Sequence, residues 1–289
     1  MTATAPPAAR THVRSHTGGL TVVLLVVGVG AVVVALLGPL VLGVIDYHVS
    51  GGAADQICGG DVAGLLLVGP VSLVAAWLLH RGRPGAEALA IAPAAYGIYT
   101  YTQLSITGDL ARYDGNAERW YPLLWLLVVA CGAVLALAGA RLAALPAPAP
   151  RPRLERGVGW YLLAVTAFLV LGLHVPSLLD AWRDQPASTE YLADPVAFWV
   201  VKLMDLAYVA PLLGAVGVGL LRGRSWARRA LAPVVGWCAL LATAVAGMAF
   251  TMLANEGAGA SVGLANGFGL AASGALVLTV VTYRPLLSP

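Results

Sequence analysis

Apolar residues in this chain come in runs that a bilayer would need. They span Leu20–Ile45, Val62–Leu79, Ala86–Thr107, Tyr121–Ala140, Val158–Leu179, Pro195–Leu221, Ala230–Leu253 and Ala258–Val281. A helix rises about 1.5 Å per residue, so about 18 or more apolar residues cross the hydrocarbon core. The pattern therefore predicts an all-α polytopic membrane helix bundle with about eight transmembrane helices. Residues 1–19, with Arg10 and Arg14, read as a disordered cytoplasmic tail. The first run is longer than the 7–15-residue core of a signal peptide and no A-x-A site follows, so it is expected to be a retained helix. Pro70, Pro93 and Pro211 fall inside spans. Membrane helices tolerate this where neighbours satisfy the freed carbonyls.

Loop charges set the orientation. Arg81, Arg83, Arg141, Arg151, Arg153, Arg156, Arg222, Arg224, Arg228, Arg229 and Arg284 fall on the side of the N-terminal arginines, and only Arg112, Arg119 and Arg183 lie opposite. The positive-inside rule places both termini in the cytoplasm. The opposite loops are acidic.

A Pro/Ala-rich linker, residues 143–156, divides the chain into residues 20–142 and 157–289, with four runs each. The two parts look alike. VGPVSLVAAWLLHRGRPGAEALAIAP at 68–93 matches VAPLLGAVGVGLLRGRSWARRALAP at 209–233 with one gap, pairing Pro70 with Pro211 and the two Arg-Gly-Arg turns. A shorter match, GPLVLGVID with GLHVPSLLD, pairs Asp46 with Asp180. Two parallel four-helix repeats are expected, because an even number of spans preserves orientation.

Composition agrees with the pattern. The chain is 59% hydrophobic and only 11% charged, where soluble domains carry about 25% charged residues. The net charge of +3 sits in loop-flanking arginines, so nucleic acid is not an expected partner. The expected partners are the lipid bilayer and a small molecule or ion. Cys58, Cys131 and Cys238 form no CxxC pair or disulfide framework, and no cofactor or metal is implied. The Arg-rich, Lys-poor composition suggests a high-GC bacterium, hence a multi-pass protein of the bacterial plasma membrane.

Three segments carry a resemblance. They are Asp61-Val62-Ala63-Gly64-Leu65 with Pro70 beyond it; Tyr96-Gly97-Ile98-Tyr99-Thr100-Tyr101 followed by Asn116 and Tyr121; and Met204-Asp205-Leu206 with Pro211 and then LLRGRSWARRALAP. Over about half its length the chain resembles an uncharacterised family of bacterial eight-span integral membrane proteins. Family members often have Gln where Gly60 precedes Asp61, and an aromatic at the position of Ala227. The resemblance implies fold and topology and no activity.

Lys202 and Asp205 are the charges well inside a span, roughly 10 and 15 Å deep counted from Pro195. Spaced i, i+3, they share a helix face. An ionisable group at that depth costs about 3 kcal/mol on insertion scales. The pair reads either as a coupling site, with Lys202 holding Asp205 ionised, or as a self-neutralising structural ion pair. Asp61 is expected as the N-cap of the second span. Asp46 and Asp180 read as solvated loop acids or as the walls of one vestibule. His174 is expected to be a packing residue bonded to a neighbouring backbone; its depth does not match that of His48, which disfavours haem or metal. Tyr96, Thr100 and Gln103 share a face that lines a cavity with Asp205 or bonds helices together. Gly259, Gly263, Gly267 and Ala271 form a small-residue row for close packing, with Asn266 bonding across it. No Walker A, HExxH, DDxxD-type or GxSxG motif is present. The resulting expectation is small-molecule or ion transport or binding at the repeat interface. A membrane scaffold with a structural Lys–Asp pair is one alternative. A lipid-acting enzyme using Asp46, Asp61 and Asp180 is another.

Overall fold

Backbone polar groups in hydrocarbon must be satisfied within the segment, which selects helices. Accordingly the described residues of the structure, a computed structural model covering residues 7–257 and 260–287, are mostly helical, with no strand among them. The long helices are α1 Pro7–Leu37, α2 Gly51–His80, α3 Ala86–Ile106, α4 Tyr121–Ala144, α5 Pro152–Ala181, α6 Pro195–Leu221, α7 Ser225–Ala254 and α8 Val262–Leu287. Seven of them are long and apolar enough to cross a membrane; α3 is the exception. Its polarity has a structural reason. It packs against α2, α4, α6 and α7, and buries Ala86, Ala88, Ala90, Ala92, Ala94, Tyr96 and Tyr101 among them. A helix ringed by other helices needs no lipid-facing stripe.

Three boundaries differ from expectation. Residues 7–19, expected as a disordered tail, have helical backbone continuous with α1; residues 1–6 lie outside the described residues. At the other end, α1 stops at Leu37 rather than Ile45, because Pro39 disfavours helical backbone at Gly38. The third lies at the start of the next helix. α2 starts at Gly51, eleven residues before Val62, and Ser50 caps it by accepting from the Ala53 N–H. Asp61 is therefore buried mid-helix and is not an N-cap.

Prolines shape three helices in one way. Each of Pro70, Pro176 and Pro211 stands two residues after a π-helical turn, Gly64–Val68 in α2, Phe168–His174 in α5 and Asp205–Val209 in α6. Proline lacks an N–H and crowds the carbonyl four residues back, and a wider turn relieves both effects. The Arg-Gly-Arg turns also share a geometry. Arg83 N–H bonds Leu78 O and Arg224 N–H bonds Gly219 O, both at 2.9 Å, with Gly82 and Gly223 in the left-handed region at φ 62° and 65°. This is the glycine-centred helix stop in which the amide beyond the turn reaches back to the last free carbonyls.

α1 packs on α2 and α4, α2 on α3, and α3 on α4. In the second part α5 packs on α6, α6 on α7, and α7 on α8, while among the described residues no packed interface joins α5 to α8. The parts meet through α2 with α7, α3 with α7, and α3 with α6. The α2–α7 crossing is closest at Gly59, where a Cβ would overlap the backbone of Met248 and Gly247. The expected close-packing row of α8 is different. Gly263 and Gly267 have nothing within 4 Å of an added Cβ, Asn266 is exposed, and Gly259 lies outside the described residues. α8 rests on α7 instead through Ala265, Ala272, Ala275 and Tyr283.

The acidic loops meet at one end. Asn116 bridges to Asp46 and Val44, Tyr113 OH donates to Ala193 O at 2.8 Å, and Asp194 accepts from the Ser50 N–H at 2.9 Å and from the Ser50 hydroxyl. At the arginine-rich end Arg229 donates to Leu145 O, and Tyr283 OH donates to Ala88 O.

Candidate functional site

A cavity of about 880 Å³ opens from the acidic end into the space between the two parts. α2, α3, α5, α6, α7 and α8 all line it. Its upper wall is polar, with Ser50, Asp55, Gln56, Glu190, Asp194 and Asn255. Its lower wall is apolar, with Val165, Phe168, Leu169, Leu213, Leu241 and Met248. Asp205, Tyr99, Thr100, Gln103, Tyr96 and Asp61 form the polar surface between.

Asp205 is the centre of that surface. It is the first residue of the π turn in α6, about 15 Å along the helix from Pro195. Its Oδ1 accepts from Tyr99 OH of α3 at 2.9 Å, and its Oδ2 accepts from His174 Nε2 of α5 at 2.9 Å. Three helices thus converge on one carboxylate. Hydrogen bonds to a charged group contribute about 1.5–3 kcal/mol each, so two of them are comparable to the roughly 3 kcal/mol cost of placing the acid there.

Lys202 does not pair with Asp205. Its ammonium lies 4.1 Å from the centre of the Phe198 ring, one turn earlier on α6, and the residue is buried. Phe198 is itself locked edge-on by Tyr191 and Trp199. The i, i+3 spacing permits a pair but does not impose one, and each side chain takes another partner, Lys202 the Phe198 ring and Asp205 the Tyr99 and His174 donors. His174 differs from expectation too. Its Nε2 serves Asp205 rather than a backbone carbonyl, and its buried Nδ1 has no hydrogen-bond partner.

The structure brings together Asp205, Asp61, Tyr96, Thr100 and Gln103 on the cavity wall, with His174 behind Asp205. Tyr96 does both jobs expected of its face, donating to Gly60 O of α2 at 3.3 Å while lining the cavity. Asp61 is 5% exposed and its Oδ2, packed against Gly38, has no hydrogen-bond partner. Asp46 and Asp180 do not join them. Asp46 is exposed in the loop after α1; Asp180 lies in the last turn of α5, where it accepts from the Ala187 and Ser188 amides and meets Arg183. Among the described residues they share no vestibule, and the exposed Asp46 fits the alternative reading as a solvated loop acid. No group of three or more His, Cys, Asp or Glu among those residues is arranged to hold a metal.

Tyr99, which bonds Asp205, was not among the residues expected on the cavity face. A full i, i+3, i+4, i+7 stripe from Tyr96 contains Tyr99 along with Thr100 and Gln103, so the signal was present. Nothing local marks Asp55, Glu190 or Asp194 as cavity residues. Comparison with protein-family models, curated proteins and solved structures finds no match in any of the three.

Proposed function

We propose that this integral membrane protein binds, and in that way carries, a small molecule in the cavity between two four-helix repeats, with Asp205 as the principal polar contact. The observation that carries the reading is the Asp205 carboxylate itself, which lines the cavity deep in α6 and is held by Tyr99 and His174 from two other helices. A scaffold that merely tolerated the charge would seal it against its own lysine. Here the lysine is engaged elsewhere.

The repeat part of the reading is supported by the matched Arg-Gly-Arg turns and by π turns standing at the same distance before Pro70 and Pro211. It is also supported by the paired crossings of α2 with α7 and α3 with α6. α3 serves in it as an eighth span shielded from lipid. The arginine distribution supports both termini in the cytoplasm of a bacterial plasma membrane. The same reading keeps the chain with the uncharacterised eight-span family that it resembles.

Cysteine accessibility tests the site. In a background with Cys58, Cys131 and Cys238 replaced by Ala, Asp205→Cys and Gln103→Cys are expected to react with a charged, membrane-impermeant thiol reagent added from the acidic-loop side. Lys202→Cys is expected to stay protected. Protection of both cavity positions would overturn the reading.

A further inference from the structure

The lining of this cavity has one sign of charge. Asp55, Glu190, Asp194 and Asp205 all contribute, and among the described residues no lysine, arginine or histidine does. Lys202 is turned onto Phe198, and His174 touches Asp205 from behind the wall. Carboxylates grouped in a low-dielectric cleft focus a field that concentrates cations and repels anions.

From this we infer that the cavity takes an amphipathic organic cation, its charged group on Asp205 and its apolar body on the lower wall. The inference rests on the binding reading above and names the ligand's chemical class. Four independent features point the same way.

An ionised carboxylate offers about four acceptor sites. Tyr99 and His174 occupy two of those of Asp205, leaving capacity for a donor in the cavity.

Aromatic side chains supply faces for a cation. Tyr96, Tyr99, Tyr161, Phe168 and Phe268 all line the space. Ring faces attract ammonium-like groups within about 6 Å, and more strongly where water is excluded.

Size and lining suit an organic ligand. The cavity of about 880 Å³ lies in the range of about 300–1,000 Å³ typical of organic-ligand sites. Its lower wall, Leu169, Leu213, Leu241 and Met248, offers an ion no oxygen.

The side of the cavity offers a route from lipid. α5 and α8 both line it, yet no packed interface joins them. The α8 edge there includes Gly267, with nothing within 4 Å of an added Cβ. An amphiphile dissolved in the bilayer needs such a gap, whereas a strongly hydrated solute does not.

The test uses two ions of similar size and opposite charge, tetraphenylphosphonium and tetraphenylborate. Saturable binding is measured by equilibrium dialysis on the full chain in phosphatidylcholine nanodiscs, with empty nanodiscs subtracted. The phosphonium is expected to bind at least about tenfold more tightly than the borate, and Asp205→Asn to remove most of that preference while the protein still melts cooperatively. Glu190→Gln, on the exposed rim, is expected to weaken the phosphonium about two- to threefold, which keeps the test informative if Asp205→Asn does not fold. Equal or tighter borate binding would overturn the cation assignment and leave cavity binding standing. A preference unchanged in folded Asp205→Asn would overturn the role given to Asp205. Saturable binding of neither ion would overturn this inference together with the binding reading.

Discussion

His174 Nε2 lies 2.9 Å from Asp205 Oδ2, and the two residues occupy equivalent kinds of position on neighbouring helices. His174 closes the π turn of α5 and Asp205 opens that of α6. A proline follows each turn by two residues, Pro176 in α5 and Pro211 in α6. π turns of this kind recur at functional sites.

The energetic partners of Asp205 are Tyr99 and His174. A double-mutant cycle of Asp205→Asn with Tyr99→Phe, read from unfolding in detergent, should give a coupling of about 1–3 kcal/mol. The cycle of Asp205→Asn with Lys202→Met should give less than about 0.5 kcal/mol. A coupling to Lys202 as large as that to Tyr99 would contradict the geometry.

Gly59 and the α8 glycines should separate cleanly. A methyl at Gly59 meets the backbone of Met248 and Gly247, which cannot rotate away. Gly59→Ala should cost more than about 2 kcal/mol or prevent assembly of α2 on α7. Gly263→Ala and Gly267→Ala meet nothing and gain helix propensity, so they should be neutral or stabilising by up to about 1 kcal/mol. Thermal melts of the three variants decide the matter.

Stability should depend on pH through the loops at the acidic end. His48 donates from Nδ1 to Tyr113 O at 2.8 Å and from Nε2 to Glu118 Oε2 at 2.7 Å, so both ring nitrogens carry protons. The Glu118 bond first, and then the Tyr113 carbonyl, raise the His48 pKa above its ordinary value of 6.5, and His48 lowers that of Glu118 below 4.5. The His48 contribution is complete below its unfolded value and fades as pH rises through the raised folded value. The Glu118 contribution is complete above its unfolded value and fades as pH falls through the lowered one. The stability difference between wild type and His48→Gln should thus be largest between about pH 4.5 and 6.5 and shrink on the alkaline side. A difference that grows with rising pH would be the wrong sign.

Ser50 and Asp194 tie the start of α2 to the start of α6. Ser50→Ala removes both a helix cap and a donor to Asp194. It should lower stability by about 1–2 kcal/mol in detergent melts. Asp194→Ala should do at least as much, since it also orphans the Ser50 amide.

Much of this architecture is legible in the chain without coordinates. The number and approximate extent of the long helices follow from run length, because bilayer thickness and helix rise leave little choice. The Arg-Gly-Arg turns follow from glycine, the residue that accepts positive φ freely. The Tyr96, Thr100 and Gln103 face follows from helical periodicity, and so does the place of Asp205 well inside its helix. These are local or one-dimensional properties.

Partner choice is not local. The sequence put Lys202 beside Asp205 by counting along one helix, whereas the fold supplies His174 from 31 residues away and Tyr99 from 106. It assigned the glycines of α8 to an interface, whereas the closest backbone approach falls at Gly59 and Gly247 on other helices. It placed Asp61 at a helix start because the polar residues 51–60 look like loop, yet Ser50 nucleates a helix there and Asp194 holds it. Hydrophobicity and periodicity determine what becomes helix and how deep a residue sits. Which helix faces which depends on side-chain fit across the whole bundle, and only the tertiary structure decided that one carboxylate would be shared among α3, α5 and α6 at the wall of an anionic cavity.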